Sequence, residues 1–156
     1  MKVVHVLCSN QFSGAENVVC QIIHMFREDK NFKFVYCSPK GSIQKSLDER
    51  DIDYYLLNEF TLKNLKKMLK DVKPDIIHAH DMRAGFYCSL VCRNIPLVLH
   101  VHNNNYDSRN LSLKSFLFYF AAKKAKKIFW VSKSCFNGYY FNQKLTKKRT
   151  IKAKRW

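Results

Sequence analysis

Four of the six histidines of this chain occur as two His-x-His pairs, His78 with His80 and His100 with His102. In an extended strand alternate side chains share one face, so each pair is predicted to present both rings on the same side. A neutral imidazole can accept a hydrogen bond, donate one or bind a metal ion. His80 and His102 lie nearest the predicted carboxyl ends of their strands, which makes them the better candidates for contact with a ligand.

The same two pairs could hold a transition metal, but the sequence favours that interpretation less. Only Asp81 adds an oxygen ligand, no cysteine supports the pairs, and parallel strands rarely aim four rings at one point. We therefore expect no metal site. His78 and His100 are predicted to be core residues, and His5 and His24 to be structural.

A second candidate is the turn Ser13-Gly14-Ala15-Glu16, which follows the first predicted strand and opens a helix. The glycine allows a ligand to approach the backbone closely, and the unpaired N–H groups of a helix start favour an anion. The alternative is a glycine that serves only a tight turn. No G-x-G-x-x-G pattern is present, so a dinucleotide cofactor is not predicted.

Other chemistries find little support. The chain has no G-x-S-x-G elbow, and no cysteine stands at a strand-to-helix turn beside a histidine, with Cys8 the nearest case. The paired carboxylates of a glycosidase are not recognisable. The six cysteines are scattered without a C-x-x-C pair, which predicts free buried thiols in a reducing compartment.

The elements that must position these residues alternate between strands and helices. Strands are predicted at 3–8, 32–37, 53–57, 75–80, 96–103 and 128–132, and helices at 14–27, 42–50, 61–73, 82–93, 113–126 and 133–141. The first helix is predicted to face the sheet with Val18, Ile22, Met25 and Phe26. The alternation predicts an α/β fold, a Rossmann-like doubly wound parallel sheet flanked by helices. Ligands bind such sheets beyond the carboxyl ends of the strands, where residues 9–16, 80–85 and 102–107 are predicted to meet.

Charge is concentrated in the last third of the chain. Residues 1–107 carry 14 Lys and Arg and all 12 acidic residues, whereas residues 108–156 carry 14 Lys and Arg and no acid. Such a field attracts an anionic partner, whether a membrane surface, a nucleic acid or a phosphorylated ligand. The alternative is a set of solvated lysines that reflects compositional bias. No apolar run approaches the ~20 residues needed to cross a bilayer, and the start does not resemble a signal peptide, so a cytoplasmic protein is expected.

Four segments resemble motifs of family 4 glycosyltransferases, in the same order and at similar spacing. They are Ser13-Gly14-Ala15-Glu16, Lys73-Pro74-Asp75-Ile76-Ile77-His78-Ala79-His80, Pro96-Leu97-Val98-Leu99-His100-Val101-His102 and Phe129-Trp130-Val131-Ser132. The resemblance implies a GT-B enzyme of two Rossmann-like halves, whose N-terminal half binds the acceptor and whose C-terminal half binds a nucleotide sugar. It also implies retaining transfer without a bound metal or other cofactor, in the synthesis of a cell-surface polysaccharide or a lipid-linked glycan.

By this resemblance, His102 matches the catalytic histidine that contacts the sugar being transferred. The residues implied to bind substrate are Ser13, Gly14, Glu16, His80 and Asp81. Two positions depart from the family pattern, because Ser13 replaces a usual glycine and His100 a usual threonine.

The resemblance covers residues 1–142, which are predicted to form the glycosyltransferase-like domain. Residues 143–156 are predicted to be a basic tail that is disordered or frayed. No acidic residue follows Asp107, and the family's usual N-G-[IV]-D turn is missing. The chain is therefore expected to be truncated before the donor-binding domain and incomplete alone, unless a separate chain supplies that domain. An inactive remnant is the alternative.

A non-catalytic module that binds an anionic membrane or nucleic acid is the competing function. One predicted helix carries an aromatic and basic sequence: Phe116, Leu117, Phe118, Phe120, Lys123, Lys124, Lys126 and Lys127. This composition suits a peripheral position on the inner face of the plasma membrane. The alternative is that the apolar residues face the sheet and the lysines are solvated. Nucleic acid is less favoured, because no recognised reading motif accompanies the charge.

Overall fold

Seven parallel strands form a single sheet. The computed structural model describes residues 1–103, 105–145 and 150–152. The strands are β1 (Lys2–Val6), β2 (Lys33–Pro39), β3 (Tyr54–Leu57), β4 (Ile76–His80), β5 (Leu97–Val101), β6 (Lys127–Trp130) and β7 (Thr150–Lys152). Their order is β3-β2-β1-β4-β5-β6-β7, and each neighbouring pair is parallel. This confirms the predicted doubly wound, Rossmann-like α/β fold.

Helices cover both faces of the sheet. They are α1 (Gly14–Met25), α2 (Ile43–Asp48), α3 (Leu62–Val72), α4 (Met82–Val91), α5 (Tyr106–Arg109), α6 (Leu113–Lys124) and α7 (Lys133–Asn137). Right-handed crossovers that run toward β3 place α1 and α2 on one face, where Val19 and Ile23 pack with Leu47. Crossovers that run toward β7 place the other long helices opposite, where Met68 and Phe118 join the larger core. The strand order reverses between β1 and β4, so their carboxyl ends form the switch point.

The α1 side of β4, β5 and β6 is only partly covered by the described helices. Ile77, Leu99 and Trp130 are buried against the other helices. Among the alternate residues, which point to the α1 side, His80 is buried, but four others stay partly exposed: His78, Val98, His100 and Phe129. We call these four residues the open face. They are less buried than residues of a sheet that helices cover completely on both faces.

The predicted apolar stripe of α1 is wrong by one position. The buried residues are Glu16, Val19, Cys20 and Ile23. Met25 is 75% exposed. Two doubled apolar pairs, Val18-Val19 and Ile22-Ile23, fit either stripe in the sequence, and packing against the sheet selects the second member of each pair.

The end of the chain differs from the predicted frayed tail. Asn142–Lys144 form a single 3-10 turn, and Leu145 packs against the core. Thr150–Lys152 pair with β6 as the edge strand β7. Residues 146–149 and 153–156, which belong to the same predicted tail, lie outside the described part of the chain. The last predicted helix, 133–141, is shorter in the structure, where α7 ends at Asn137.

All six cysteines are free thiols, as the sequence predicts, and all except the partly exposed Cys8 are buried. Burial raises the pKa of Cys37 to about 12 and that of Cys135 to about 11. No helix within the described residues is long and apolar enough to span a bilayer.

The turn between β4 and α4 carries backbone strain at Asp81, whose φ and ψ are 71° and 165°. This region of conformational space is almost restricted to glycine and costs about 1–3 kcal/mol for other residues. Two hydrogen bonds hold the residue there: its N–H donates to His100 O at 3.0 Å, and its carboxylate accepts from the Ala84 N–H at 2.8 Å. Asp81 is therefore the N-cap of α4.

We expect Gly41→Ala to destabilise the protein by about 1–3 kcal/mol, because overpacking costs that much where neighbours cannot yield. A Cβ at Gly41 would stand 2.6 Å from the backbone oxygen of Asn10, in the loop that leads from β1 to α1. Gly14→Ala is the matched control, since a Cβ at Gly14 meets nothing within 4 Å. Urea unfolding checks both. Equal stabilities of the two variants would contradict the close approach of the loop after β2, which contains Gly41, to the loop after β1, which contains Asn10.

We expect Asp81→Gly to be more stable than Asp81→Ala. Both variants lose the N-cap carboxylate, but only glycine relieves the backbone strain of about 1–3 kcal/mol. The greater freedom of glycine in the unfolded chain offsets about 0.4–1 kcal/mol of this gain. Urea midpoints of the two variants measure the difference. If the Ala variant were the more stable one, the backbone of Asp81 would not be strained.

Candidate functional site

Five histidines form one layer at the junction of β1, β4 and β5. The register places His5 opposite His78 and His80 opposite His100. Because alternate residues share a face, all these rings lie on the α1 side of the sheet, and His102 follows β5 on the same side. Parallel strands thus gather both His-x-His pairs, and β1 adds His5, for which the sequence predicts only a structural role.

Three of these rings form a hydrogen-bonded chain that runs from the core to the carboxyl edge. His5 Nδ1 lies 2.9 Å from His80 Nε2, and His80 Nδ1 lies 3.0 Å from His102 Nε2. His5 and His80 are buried, whereas His102 is partly exposed. We call these three residues the histidine chain.

A neutral imidazole has one N–H, so the two hydrogen bonds of the histidine chain must point the same way. If His102 donates inward, His5 Nε2 becomes a buried N–H without a partner among the described residues. If His5 donates outward, the same nitrogen keeps a bare lone pair instead. The outward direction is favoured, because buried N–H groups without an acceptor are the rarer defect. His102 then accepts at Nε2 and carries its own proton on Nδ1.

His78 and His100 stack beside the histidine chain, with ring centroids 5.6 Å apart and planes 9° apart. The sequence predicts them as core residues, but both belong to the open face and are partly exposed. His78 Nε2 and His100 Nδ1 are themselves shielded from solvent and have no hydrogen-bond partner among the described residues. His24, by contrast, is exposed on α1 and lies outside the layer.

Burial keeps the histidine layer uncharged. Burial and the neighbouring imidazoles lower the pKa of His5 and of His100 to about 3. The same two causes hold the pKa values of His78 and His80 well below the usual range. The pKa of His102 is lowered by burial, and the Glu16 carboxylate opposes that shift. The layer therefore offers neutral donors and acceptors rather than cations.

The loop between β1 and α1 reaches the same end of the sheet. Ser13 and Gly14 are exposed, whereas Glu16 is buried at the start of α1. The Glu16 carboxylate accepts hydrogen bonds from the Ser13 N–H at 3.1 Å and from the Ser13 hydroxyl. The Glu16 carboxylate also acts on His102 electrostatically, where it opposes the lowering of the His102 pKa by burial. Substrate contact by Ser13, Gly14 and Glu16 stays a prediction.

Asp81 belongs to the second predicted segment, 80–85, at this edge. Burial raises the pKa of its carboxyl group to about 6, against the effect of the backbone N–H groups of Ala84, Arg83 and Cys8. The carboxylate thus links the end of β1 to the start of α4. In the segment 102–107, Asn105 caps the short helix α5 by accepting from the Ser108 N–H at 3.0 Å, and Asn104 lies outside the described residues.

The place of His5 in the site and the burial of Glu16 are not predicted from the sequence. His5 has no neighbouring histidine along the chain, and only the strand order, which places β1 beside β4, reveals its place. Glu16 is recognisable in sequence as the last residue of a loop motif, but its burial against the helix start follows from the position of α1. The signal that could have found His5 is its register, since His5 and His78 both lie at the third or fourth residue of a buried strand.

Comparison with known proteins supports this fold. Solved structures with the same fold include HepE of Anabaena in complex with UDP-glucose, at 15% identity and a TM-score of 0.80 over 97% of this chain and 43% of that one. The lipopolysaccharide outer core galactosyltransferase WaaB matches at 15% identity and a TM-score of 0.71, over 97% of this chain and 44% of that one. A glycosyltransferase of Rickettsia africae matches at 17% identity and a TM-score of 0.67, over 99% and 42%.

The chain thus spans less than half the length of these structures, and at such identities the likeness shows the fold. No curated protein sequence matches the chain. The family model described as Glycosyltransferase Family 4 matches residues 12–137, which include the loop, both His-x-His pairs and α7. The chain therefore belongs to glycosyltransferase family 4.

Proposed function

We propose that this domain is the acceptor-binding half of a glycosyltransferase and that His102 contacts the sugar being transferred. The observation that supports the proposal most is the histidine chain, which ends with His102 at the carboxyl edge of the sheet. Ligands of doubly wound sheets bind at this edge. With its proton on Nδ1, His102 would donate a hydrogen bond to a sugar hydroxyl or to charge that develops during transfer.

The loop before α1 and the turn after β4 would form the walls of the acceptor site. Ser13 and Gly14 are exposed at a helix start, where free N–H groups suit a phosphate or a sugar oxygen. Open space beyond Gly14 leaves room for such a ligand. His80 would act mainly through His102, because it is fully buried, and Asp81 would fix the turn beside it.

The donor would be a nucleotide sugar bound by a second Rossmann-like half, on the same polypeptide or on a separate chain. HepE, which shares this fold, was crystallised with UDP-glucose. WaaB, which also shares it, is a galactosyltransferase of the lipopolysaccharide outer core. For this protein we propose retaining transfer in the synthesis of a cell-surface polysaccharide or a lipid-linked glycan. The reaction would need no further cofactor. The proposed location is the cytoplasmic side of the membrane.

The membrane is the second proposed partner, and an exposed apolar surface favours it. The surface consists of large apolar side chains of α5 and α6 and the link between them: Tyr106, Leu111, Leu113, Phe116 and Phe120. Leu113, Phe116 and Phe120 follow helical spacing and share one stripe of α6. The sequence leaves two orientations open for this helix, and the structure divides its aromatic residues, because Phe118 is buried while Phe116 is 56% exposed.

Basic residues continue this apolar surface toward the end of α6. Lys124 Nζ lies 4.8 Å from the centre of the Phe120 ring, and Lys123 Nζ lies 4.7 Å from that of Tyr119. Aromatic side chains flanked by lysines suit the boundary of an anionic bilayer, where each Lys or Arg contributes about 1 kcal/mol. An exposed apolar stripe would serve a nucleic acid less well, since phosphate contacts dominate that kind of binding.

The proposed role of His102 can be tested in a fusion of this chain with the donor-binding half of HepE. Calorimetry with UDP-glucose checks that the fusion binds the donor, and UDP release measures turnover. We expect His102→Ala to lower kcat by about 10²–10³-fold, which is the usual loss when one donor to developing charge is removed. His24→Ala, on the exposed side of α1, is the matched control. An unchanged kcat in the His102→Ala fusion would remove this residue from the site.

The membrane proposal can be tested by co-sedimentation of the 156-residue chain with vesicles. We expect binding to vesicles that contain anionic lipid and weaker binding as salt rises, because the Debye length falls from ~10 Å at 0.1 M to ~3 Å at 1 M. The double variant Phe116→Ser, Phe120→Ser should release the protein. Met25→Ser removes an even more exposed apolar side chain from α1 and should not release the protein. Equal binding to neutral vesicles, or full binding of the double variant, would contradict the proposal.

A further inference from the structure

Three imidazoles of the histidine layer meet closely enough to share one ion. One nitrogen each of His5, His78 and His80 lies within 4.8 Å of the other two. The ring centroids are 4.9 Å apart for His5 and His78, 4.3 Å for His78 and His80, and 5.2 Å for His5 and His80. Zn–N bonds of about 2.0–2.1 Å in a tetrahedral site require nitrogens about 3.3–3.4 Å apart, so modest rotations of the rings suffice.

Two of these rings carry a buried nitrogen that is available to an ion. His5 Nε2 and His78 Nε2 have no hydrogen-bond partner among the described residues. A buried polar atom in that state costs about 1–3 kcal/mol. A metal ion is the partner that accepts lone pairs from several imidazoles at once. The outward direction of the histidine chain leaves such a lone pair on His5 Nε2.

One side of this group is open to an approaching ion. His78 belongs to the open face and is partly exposed. That side gives an ion a route of entry and leaves room for water as a fourth ligand.

The donor set selects one class of metal. Imidazole nitrogens suit Zn²⁺, Ni²⁺ and Cu²⁺, whereas Mg²⁺ and Ca²⁺ require oxygen ligands. The three-residue group contains no carboxylate. We propose that His5, His78 and His80 form a binding site for a divalent late transition-metal ion of the Zn²⁺ class. The proposal differs from the expectation drawn from the sequence, which weighed only the four rings of the two His-x-His pairs, because it uses His5 with one pair.

The site is separate from the function proposed for His102. A second group of three imidazoles, His80, His100 and His102, also comes within 4.8 Å, but it includes the partly exposed His102. The group with His5 is favoured because two of its three members hold an unpartnered buried nitrogen. An ion would take the lone pair of His80 Nε2 in exchange for the hydrogen bond from His5 Nδ1, whereas His80 Nδ1 would still donate to His102 Nε2. His102 is therefore free to contact a sugar while an ion occupies the deeper site.

The test is a Zn²⁺ titration of the chelator-treated full chain by isothermal calorimetry, with Mg²⁺ as the hard-cation control. We expect one Zn²⁺ per chain, no heat from Mg²⁺, and a higher Tm in the presence of Zn²⁺. His78→Phe should weaken Zn²⁺ binding at least tenfold and abolish the rise in Tm. Because His78 is partly exposed, this variant should retain its fold, which circular dichroism checks, and His5→Phe is the second variant.

His24→Ala is the matched control and should change Zn²⁺ affinity less than twofold. His102→Ala removes a hydrogen-bond partner of His80, so it should weaken Zn²⁺ binding but keep one ion per chain. Absence of Zn²⁺ binding to the unmodified chain would overturn the proposal. So would full binding by both Phe variants, which would place the ion on thiols or elsewhere. Loss of binding in His102→Ala would also overturn it, by moving the ion to the outer group. None of these results depends on transferase activity.

Discussion

The handedness of the crossovers, combined with one reversal of strand order, determines where everything else in this domain lies. A β-α-β unit packs back onto its sheet in a right-handed sense. Chain growth from β1 toward β3 therefore places α1 and α2 on one face, and growth from β4 toward β7 places α4 and α6 on the other. One half of one face keeps little cover as a result. The histidine layer lies at the boundary of that half, partly beneath α1 and partly on the open face.

This boundary explains how a sheet tolerates five imidazoles in its interior. Buried polar groups are costly unless they are hydrogen-bonded, and buried charges are costlier still. The layer avoids charge because every ring in it has a lowered pKa. It satisfies part of its hydrogen-bonding capacity internally, through His5, His80 and His102. The nitrogens that remain unpaired belong to rings at or near the open face.

The sequence predicts the fold well, because its signals are local and repeated. Strand-length apolar runs and helical periodicity place six of the seven strands. Thr61, the first residue of the third predicted helix, caps α3 by accepting from the Asn64 N–H at 3.2 Å. Errors arise where two local solutions are equally good. The doubled pairs in α1 allow two stripes, and Ser42, the first residue of the second predicted helix, directs its hydroxyl to Asn10 O and does not cap α2. Strand β7 is three residues long and lies in a lysine-rich segment, so no periodicity marks it.

The candidate site is less predictable, since its geometry depends on pairs of residues far apart in the chain. His-x-His spacing shows which rings share a strand face, but only the strand order brings His5 beside His78. The strain at Asp81 likewise has no signature in the residue types, because Asp is an ordinary N-cap. The order and spacing of the motifs identify the family, whereas the chemistry of the site depends on contacts between residues of different strands.

The shared direction of the histidine chain makes its three rings behave as one two-state unit. Each ring can change tautomer only if the others change with it, so the chain holds a single binary state and not three independent ones. A ligand that donates a hydrogen bond to His102 Nδ1 would move the proton of His102 to Nε2. Both hydrogen bonds of the histidine chain would then reverse direction, and the proton of His5 would move to Nε2. His5 is thus a remote reporter of what touches the edge of the sheet, readable from its ring nitrogens by NMR without any label on the ligand.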